Sequence, residues 1–149
     1  MHNDLLKSLR YTLNMNDDGV VALFTLAGKA ADREFVAGIL AREEDEGFIE
    51  CGDIVATAFL DGLIVRRRGA REEPQPGGGK LTNNVILRKL RIAFSLKDED
   101  VVKIFALGEL PLSKSEITAF ARRPDHKNWR PCGDQALRHF LRGLALRDG

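Results

Sequence analysis

Apolar residues recur along the chain at intervals of three and four. Leu5, Leu6, Leu9 and Leu13 make one stripe, and Ile86, Leu87, Leu90 and Phe94 make a matching one. Such spacing puts the side chains on one face of an amphipathic helix. Asp17 and Asp98 each precede a run carrying Val, Val and Phe at helical spacing, and an aspartate placed there is expected to cap the first turn. A third helix is announced by "SKSE", Ser113 to Glu116, with the reciprocal capping-box pattern, and by Asp32 alone in the earlier stretch. A fourth follows each Cys-Gly-Asp: Ile54, Val55, Ala58, Phe59 and Leu63 are expected to share a face, as are Ala136, Leu137, Phe140, Leu141 and Leu144. No stretch alternates as a half-buried strand would.

The stripes match because the chain repeats itself. A shift of 81 lays residues 3–68 on 84–149 without a gap, with about 18 identities in roughly 66 positions. Asn3 falls on Asn84, Phe24 on Phe105, Phe59-Leu60 on Phe140-Leu141, and Gly62-Leu63 on Gly143-Leu144. Between the copies, "GAREEPQPGGGKL" combines charge, prolines and consecutive glycines and disfavours both helix and strand. The expected organisation is a first helical repeat over 1–68, a flexible linker over 69–81 and a second repeat over 82–149. The fold class is all-α: two tandem four-helix repeats, expected to pack about a pseudo-two-fold axis.

Cys51-Gly52-Asp53 and Cys132-Gly133-Asp134 read as structural repeat motifs that start a helix. Gly52 and Gly133 are expected to permit the entry conformation, and Asp53 or Asp134 sets a negative charge beside the positive end of the helix dipole. Gly62 and Gly143 interrupt both fourth helices. A glycine inside a helix costs about 1 kcal/mol relative to alanine, so its presence in both copies suggests close approach by another backbone.

Three passages carry a family resemblance. "NNVILRKLRIAFSLKDED", "PLSKSEITAFARRPDHKNWRPCGDQALRHFLRGLA" and "CGDIVATAFLDGLI" look like the bacterial YehS-like proteins, a family of unknown function built from this duplicated unit. The resemblance spans nearly the whole chain. It implies a small, soluble, duplicated bacterial protein and supplies no activity or catalytic residue; the glycine-rich linker departs from the pattern and bears on spacing between the halves.

Composition narrows the class. With 44% hydrophobic and 30% charged residues over 149 positions, the chain has a globular make-up and can bury a real core. No apolar run is long enough for a membrane span and the N-terminus lacks a secretory pattern, so a soluble cytoplasmic protein with no membrane association is expected. Two cysteines are too few for a secreted disulfide framework.

The near-neutral total hides an asymmetry. Residues 1–75 hold 9 Lys and Arg against 14 Asp and Glu, a net of −5, whereas residues 76–149 hold 14 against 8, a net of +6. "EEDEG" at 43–47 is matched by "PDHKN" at 124–128, while Thr57 and Asp61 become Arg138 and Arg142. One reading is complementary faces that attract within or between molecules. Another is an anion or nucleic-acid site in the second half, with His126, Lys127, Trp129, Arg130, Arg138, His139 and Arg142 as candidate binding residues, joined by Arg122 and Arg123. Cations pair with phosphate and aromatic rings stack on bases, which is the basis of that reading. The stretch "VVKIFALGELPLSKSEITAFARR" matches a helix-turn-helix only weakly, because its connection is longer than the usual turn and the basic excess is modest.

Catalytic chemistry is poorly supported. A thiol at a helix N-terminus can be acidified, yet Cys51 and Cys132 read better as small buried hydrophobes. His126, Cys132, Asp134 and His139 offer ligand types without a metal-binding spacing, and the first copy has Asp45 and Ala58 at the histidine positions. The run "EEDE" reads as a solvated helix end, and glycines 77–79 lack the sequel and preceding strand of a phosphate loop. No metal, cofactor or catalytic residue is expected. The leading reading is a non-catalytic interaction module, self-associating or holding a protein or small ligand in the seam between the halves. A nucleic-acid-binding protein is the alternative, and an enzyme acting near Cys132, Asp134 and His139 is third.

Overall fold

Leucine and phenylalanine at helical spacing generate eight helices in a computed structural model that describes residues 1–69 and 80–149. They are α1 (Asn3–Thr12), α2 (Asp17–Leu26), α3 (Arg33–Leu40), α4 (Asp53–Arg68), α5 (Asn83–Ala93), α6 (Asp98–Leu107), α7 (Lys114–Ala121) and α8 (Asp134–Asp148). Among the described residues there is no strand. The chain divides into two units, Met1–Leu81 and Thr82–Gly149. Most of the expected 69–81 linker, with glycines 77–79, lies outside the described residues.

In the first unit, α4 packs mainly on α2, and α3 packs against both α1 and α2. Leu6, Leu9, Val20, Leu23, Phe24 and Phe59 are fully buried there. The Phe24 ring meets Phe35 and Phe59 edge-on, with centroids 6.2 and 6.1 Å away. The second unit repeats the plan with α8 on α6. Ile86, Leu90, Val101, Ile104, Phe105 and Phe140 are fully buried, and Phe105 sits 5.2 Å from Phe140 and 6.3 Å from Phe120.

The mid-helix glycines set the distance between paired helices. A Cβ on Gly62 would overlap the Leu23 carbonyl of α2, and one on Gly143 would overlap the Ile104 carbonyl of α6. Gly108 adds a third contact of this kind, against the His139 carbonyl. The helices touch backbone to backbone, as small residues allow.

Chain reversals follow one rule in both units. The Met15 N–H bonds the Arg10 carbonyl and the Asn14 N–H bonds the Tyr11 carbonyl, with Asn14 at φ 51°; Leu96, Ser95 and Arg91 repeat this with Ser95 at φ 55°. These are Schellman endings. The same ending closes α2 and α6, where Gly28 (φ 76°) is matched by Glu109 (φ 69°). Glycine takes that left-handed conformation freely, whereas glutamate is strained in it.

Local detail corrects three expectations. Asp17 and Asp98 occupy the first helical position and are not the caps: Asn16 accepts the Gly19 N–H at 2.9 Å, and Asp100 accepts the Lys97 N–H at 2.9 Å. Asp17 and Asp98 face Arg10 and Arg91 instead, at 3.8 and 2.6 Å. Ile54 is 79% exposed, so the buried face of α4 is Ala56, Phe59, Leu60, Leu63 and Ile64, rotated from the expected one. Gly52 and Gly133 are extended at φ −84° and −71°, which any residue adopts, and a Cβ there meets nothing.

Candidate functional site

An asparagine positions each Cys-Gly-Asp segment. Asn3 is 3% exposed; its Nδ2 donates to the Ile39 carbonyl at 2.9 Å and the Ile49 carbonyl at 2.8 Å, and its Oδ1 accepts the Cys51 N–H at 2.9 Å. Asn84 does the same with the carbonyls of Phe120 and Arg130 and the N–H of Cys132. One amide therefore fastens the start of the first helix, the end of the third and the approach to the fourth, using all the partners its short side chain can reach.

The aspartates do more than face a dipole. Asp53 Oδ1 lies 2.7 Å from His2 Nε2, and its Oδ2 accepts the Leu81 N–H at 3.1 Å. The hydrogen bond from His2, and then the one from Leu81, hold its carboxyl below the usual range. In the second unit a neutral residue takes the histidine's place: Asn83 Nδ2 donates to Asp134 Oδ1 at 2.8 Å and to the Cys132 carbonyl at 3.0 Å.

His2, Cys51 and Asp53 thus bring together residue types used in thiol catalysis, but the sulfur is unsuited to it. Cys51 is fully buried and Cys132 is 4% exposed. Burial pushes both thiols up to about 11, against a weaker pull from the N-terminal ammonium at Cys51 and with help from Asp134 at Cys132. Desolvation is the dominant cause at both. A thiol whose folded pKa exceeds its unfolded value contributes stability below the unfolded value, and that contribution is lost as pH rises through the folded one. The thermal midpoint should accordingly fall between about pH 9 and 11. In the Cys51→Ala, Cys132→Ala double variant this decline should be shallower by thermal melts. A slope identical to that of the parent would remove the thiols as its source.

The basic candidates separate into two sets. His126, Lys127, Trp129 and Arg130 share the turn after α7, with Lys127 and Arg130 exposed and Trp129 half-buried. His126 Nδ1 accepts the Asn128 N–H at 2.9 Å. Its Nε2 lies 3.2 Å from Arg122 Nη1. Arg138, His139 and Arg142 lie on α8. His139 Nδ1 donates to the Gly108 carbonyl at 2.6 Å and joins α8 to the end of α6, and Arg142 pairs with Glu109 at 2.9 Å. Of the second set, Arg138 alone is exposed without an ion pair among the described residues. Among the described residues no group of three His, Cys, Asp or Glu could hold a metal, and no helix is long and apolar enough to cross a membrane.

A groove between α5 and α7 went unread in the sequence. It encloses about 490 Å³ over Leu87, Ile92, Leu96, Ile117 and Phe120, with Arg88 and Arg91 at its edge. Asp98 neutralises Arg91 at 2.6 Å. Arg88 is exposed and makes no ion pair among the described residues. The available signal was the repeat itself: Leu6, Lys7, Arg10, Tyr11, Met15 and Val36 keep the same residue classes 81 positions earlier.

Comparison with known proteins fits the duplicated architecture. The family described as protein of unknown function (DUF1456) matches residues 2–69 and matches again over 83–148. The chain belongs to this family. It is 47% identical to the uncharacterized protein YehS of Escherichia coli (strain K12) over 152 residues, covering 99% of this chain and 96% of that protein. No solved structure matches the chain at a significant level. The family thus carries the two-copy plan and assigns no chemistry to it.

Proposed function

We propose that this DUF1456 protein is a non-catalytic binding module whose recognition surface is the α5–α7 groove of the second unit. The observation that carries the reading is an open groove of about 490 Å³ with an apolar floor and, at its rim, Arg88, which makes no ion pair among the described residues. Binding sites combine apolar lining with a few placed polar groups in this size range. The occupant that fits is an amphipathic helix of a protein partner: apolar residues at successive turns fill the space over Leu87, Ile92 and Phe120, and a carboxylate meets Arg88. The buried, protonated thiols and the His139 side chain committed to packing support binding over chemistry.

Titration with anilinonaphthalene sulfonate, an apolar ring system carrying one anion, tests the groove. Saturable fluorescence enhancement is expected, weakened about tenfold by Arg88→Glu or by Thr118→Glu in the groove wall, with little change in melting temperature. Absence of saturable binding, or binding indifferent to both substitutions, would overturn the reading.

A further inference from the structure

The turns that follow α3 and α7 share one backbone and carry opposite charge. The Asp45 N–H bonds the Arg42 carbonyl as that of His126 bonds Arg123, both at 2.9 Å. Phe48 bonds back to Asp45 at 3.2 Å as Trp129 does to His126 at 3.0 Å, and Ile49 and Arg130 bond the carbonyls of Gly38 and Ala119. Each turn holds one half-buried aromatic ring at the same place, Phe48 or Trp129.

The charges on this common frame are complementary. In the first turn Arg42 lies within 3.8 Å of Glu44 and 3.7 Å of Asp45. Glu43, Glu46 and Glu50 are exposed and have no ion pair among the described residues. In the second turn Arg123, Lys127 and Arg130 are exposed and equally without one, and Asp125 is the one acid between them. Like charges clustered on a short turn repel one another, and a surface of opposite sign removes that repulsion. Every further copy of the chain carries such a surface.

We infer that the chain self-associates, with the acidic turn Arg42–Glu50 of one copy docking on the basic turn Arg123–Pro131 of another. The aromatic rings give the contact an apolar centre, and the three unpaired acids and three unpaired bases form its polar rim. A two-fold dimer satisfies both turns of both copies, whereas a one-way contact extends into a chain of copies. A nucleic acid could use the basic turn but leaves the acidic one without a role. The inference uses none of the groove residues.

Sedimentation equilibrium from micromolar to millimolar protein, at low and high salt, reads the association directly. Trp129, the single tryptophan, reports on the turn itself by its emission. The expected result is association at low salt that weakens as ions screen the turns. Lys127→Glu with Arg130→Glu, or Glu43→Lys with Glu46→Lys, should each weaken it about tenfold or more. An equimolar mixture of the two variants should associate again, because the first still offers the unchanged acidic turn and the second the unchanged basic one. Groove probe binding should be unchanged in both, which separates this inference from the previous reading. A wild-type chain that stays monomeric at low salt would overturn it, as would reversals without effect or a mixture that fails to re-associate. Salt-dependent binding of labelled DNA or RNA by a monomeric chain, lost with Lys127→Glu and Arg130→Glu, would assign the turn to nucleic acid instead.

Discussion

Gly62→Ala is expected to destabilise the first unit, and Gly143→Ala the second, by about 3–5 kcal/mol each. The sign is the informative part. In an exposed helix interior the same change stabilises by about 1 kcal/mol, because alanine is the better helix former. Here the added methyl would overlap the Leu23 or Ile104 carbonyl, which are backbone atoms of the facing helix and cannot turn aside as a side chain could. The helices must separate, and the fully buried Phe24–Phe59 and Phe105–Phe140 contacts loosen with them. In a unit of this size each 1 kcal/mol moves the melting temperature by about 4–8 °C, so the loss is readily seen by circular dichroism. Gly52→Ala and Gly133→Ala are the controls: their new methyls meet nothing, and a change of at most about 1 kcal/mol is expected from the cap position. Stabilisation, or no change, at Gly62 and Gly143 would show that the facing helices do not approach closely enough there to require glycine.

The second large effect belongs to the asparagines. Asn3→Ala removes two donors and one acceptor from buried backbone groups of Ile39, Ile49 and Cys51. Each orphaned group costs about 1–3 kcal/mol, and partial access of water to the Ile49 carbonyl keeps the total near 3–5 kcal/mol. Asn84→Ala should cost somewhat less, about 2–4 kcal/mol, since Asn84 is only half-buried. Chemical denaturation measures both. Asn3→Asp makes the sharper variant: it retains the bond from the Cys51 N–H but turns an anionic oxygen toward two carbonyls. Its destabilisation should be greatest at neutral pH and partly relieved in acid, when the protonated carboxyl can donate once. A pH-independent loss would show that side-chain shape matters there more than hydrogen bonding.

Much of this architecture was legible because the chain states it twice. The stripes Leu5–Leu6–Leu9 and Ile86–Leu87–Leu90, the box at Ser113–Glu116 and the duplicated glycines all concern contacts at short range or repeated at a fixed shift. What stayed hidden depends on where a side chain ends. Periodicity alone could not tell that Ile54 turns outward while Leu60 and Ile64 turn inward, because α4 offers apolar residues on more than one face. Nor could it tell that Asn16 and not Asp17 caps α2, since both are good caps one residue apart.

The candidate chemistry was less legible for a related reason. Clustering along the sequence joined His126 to Arg142, yet His139 and Arg142 are occupied by Gly108 and Glu109 across a helix pair. His2 escaped notice because its partner, Asp53, is 51 residues away. The groove escaped notice because its floor consists of ordinary core residue types. An apolar side chain facing a cleft and one facing a core look the same in one dimension.

The asparagine fastening also limits how either copy can change. Asn3 and Cys51, like Asn84 and Cys132, are held together across an interval of 48 residues. Within that interval the turn has reversed its charge and exchanged phenylalanine for tryptophan without altering its path. Exposed positions of the turn can differ in side chain, whereas one added residue would carry the Cys-Gly-Asp segment off the single amide that receives it. Each turn is in effect a cassette of fixed length, able to exchange its chemical message while the frame around it stays the same.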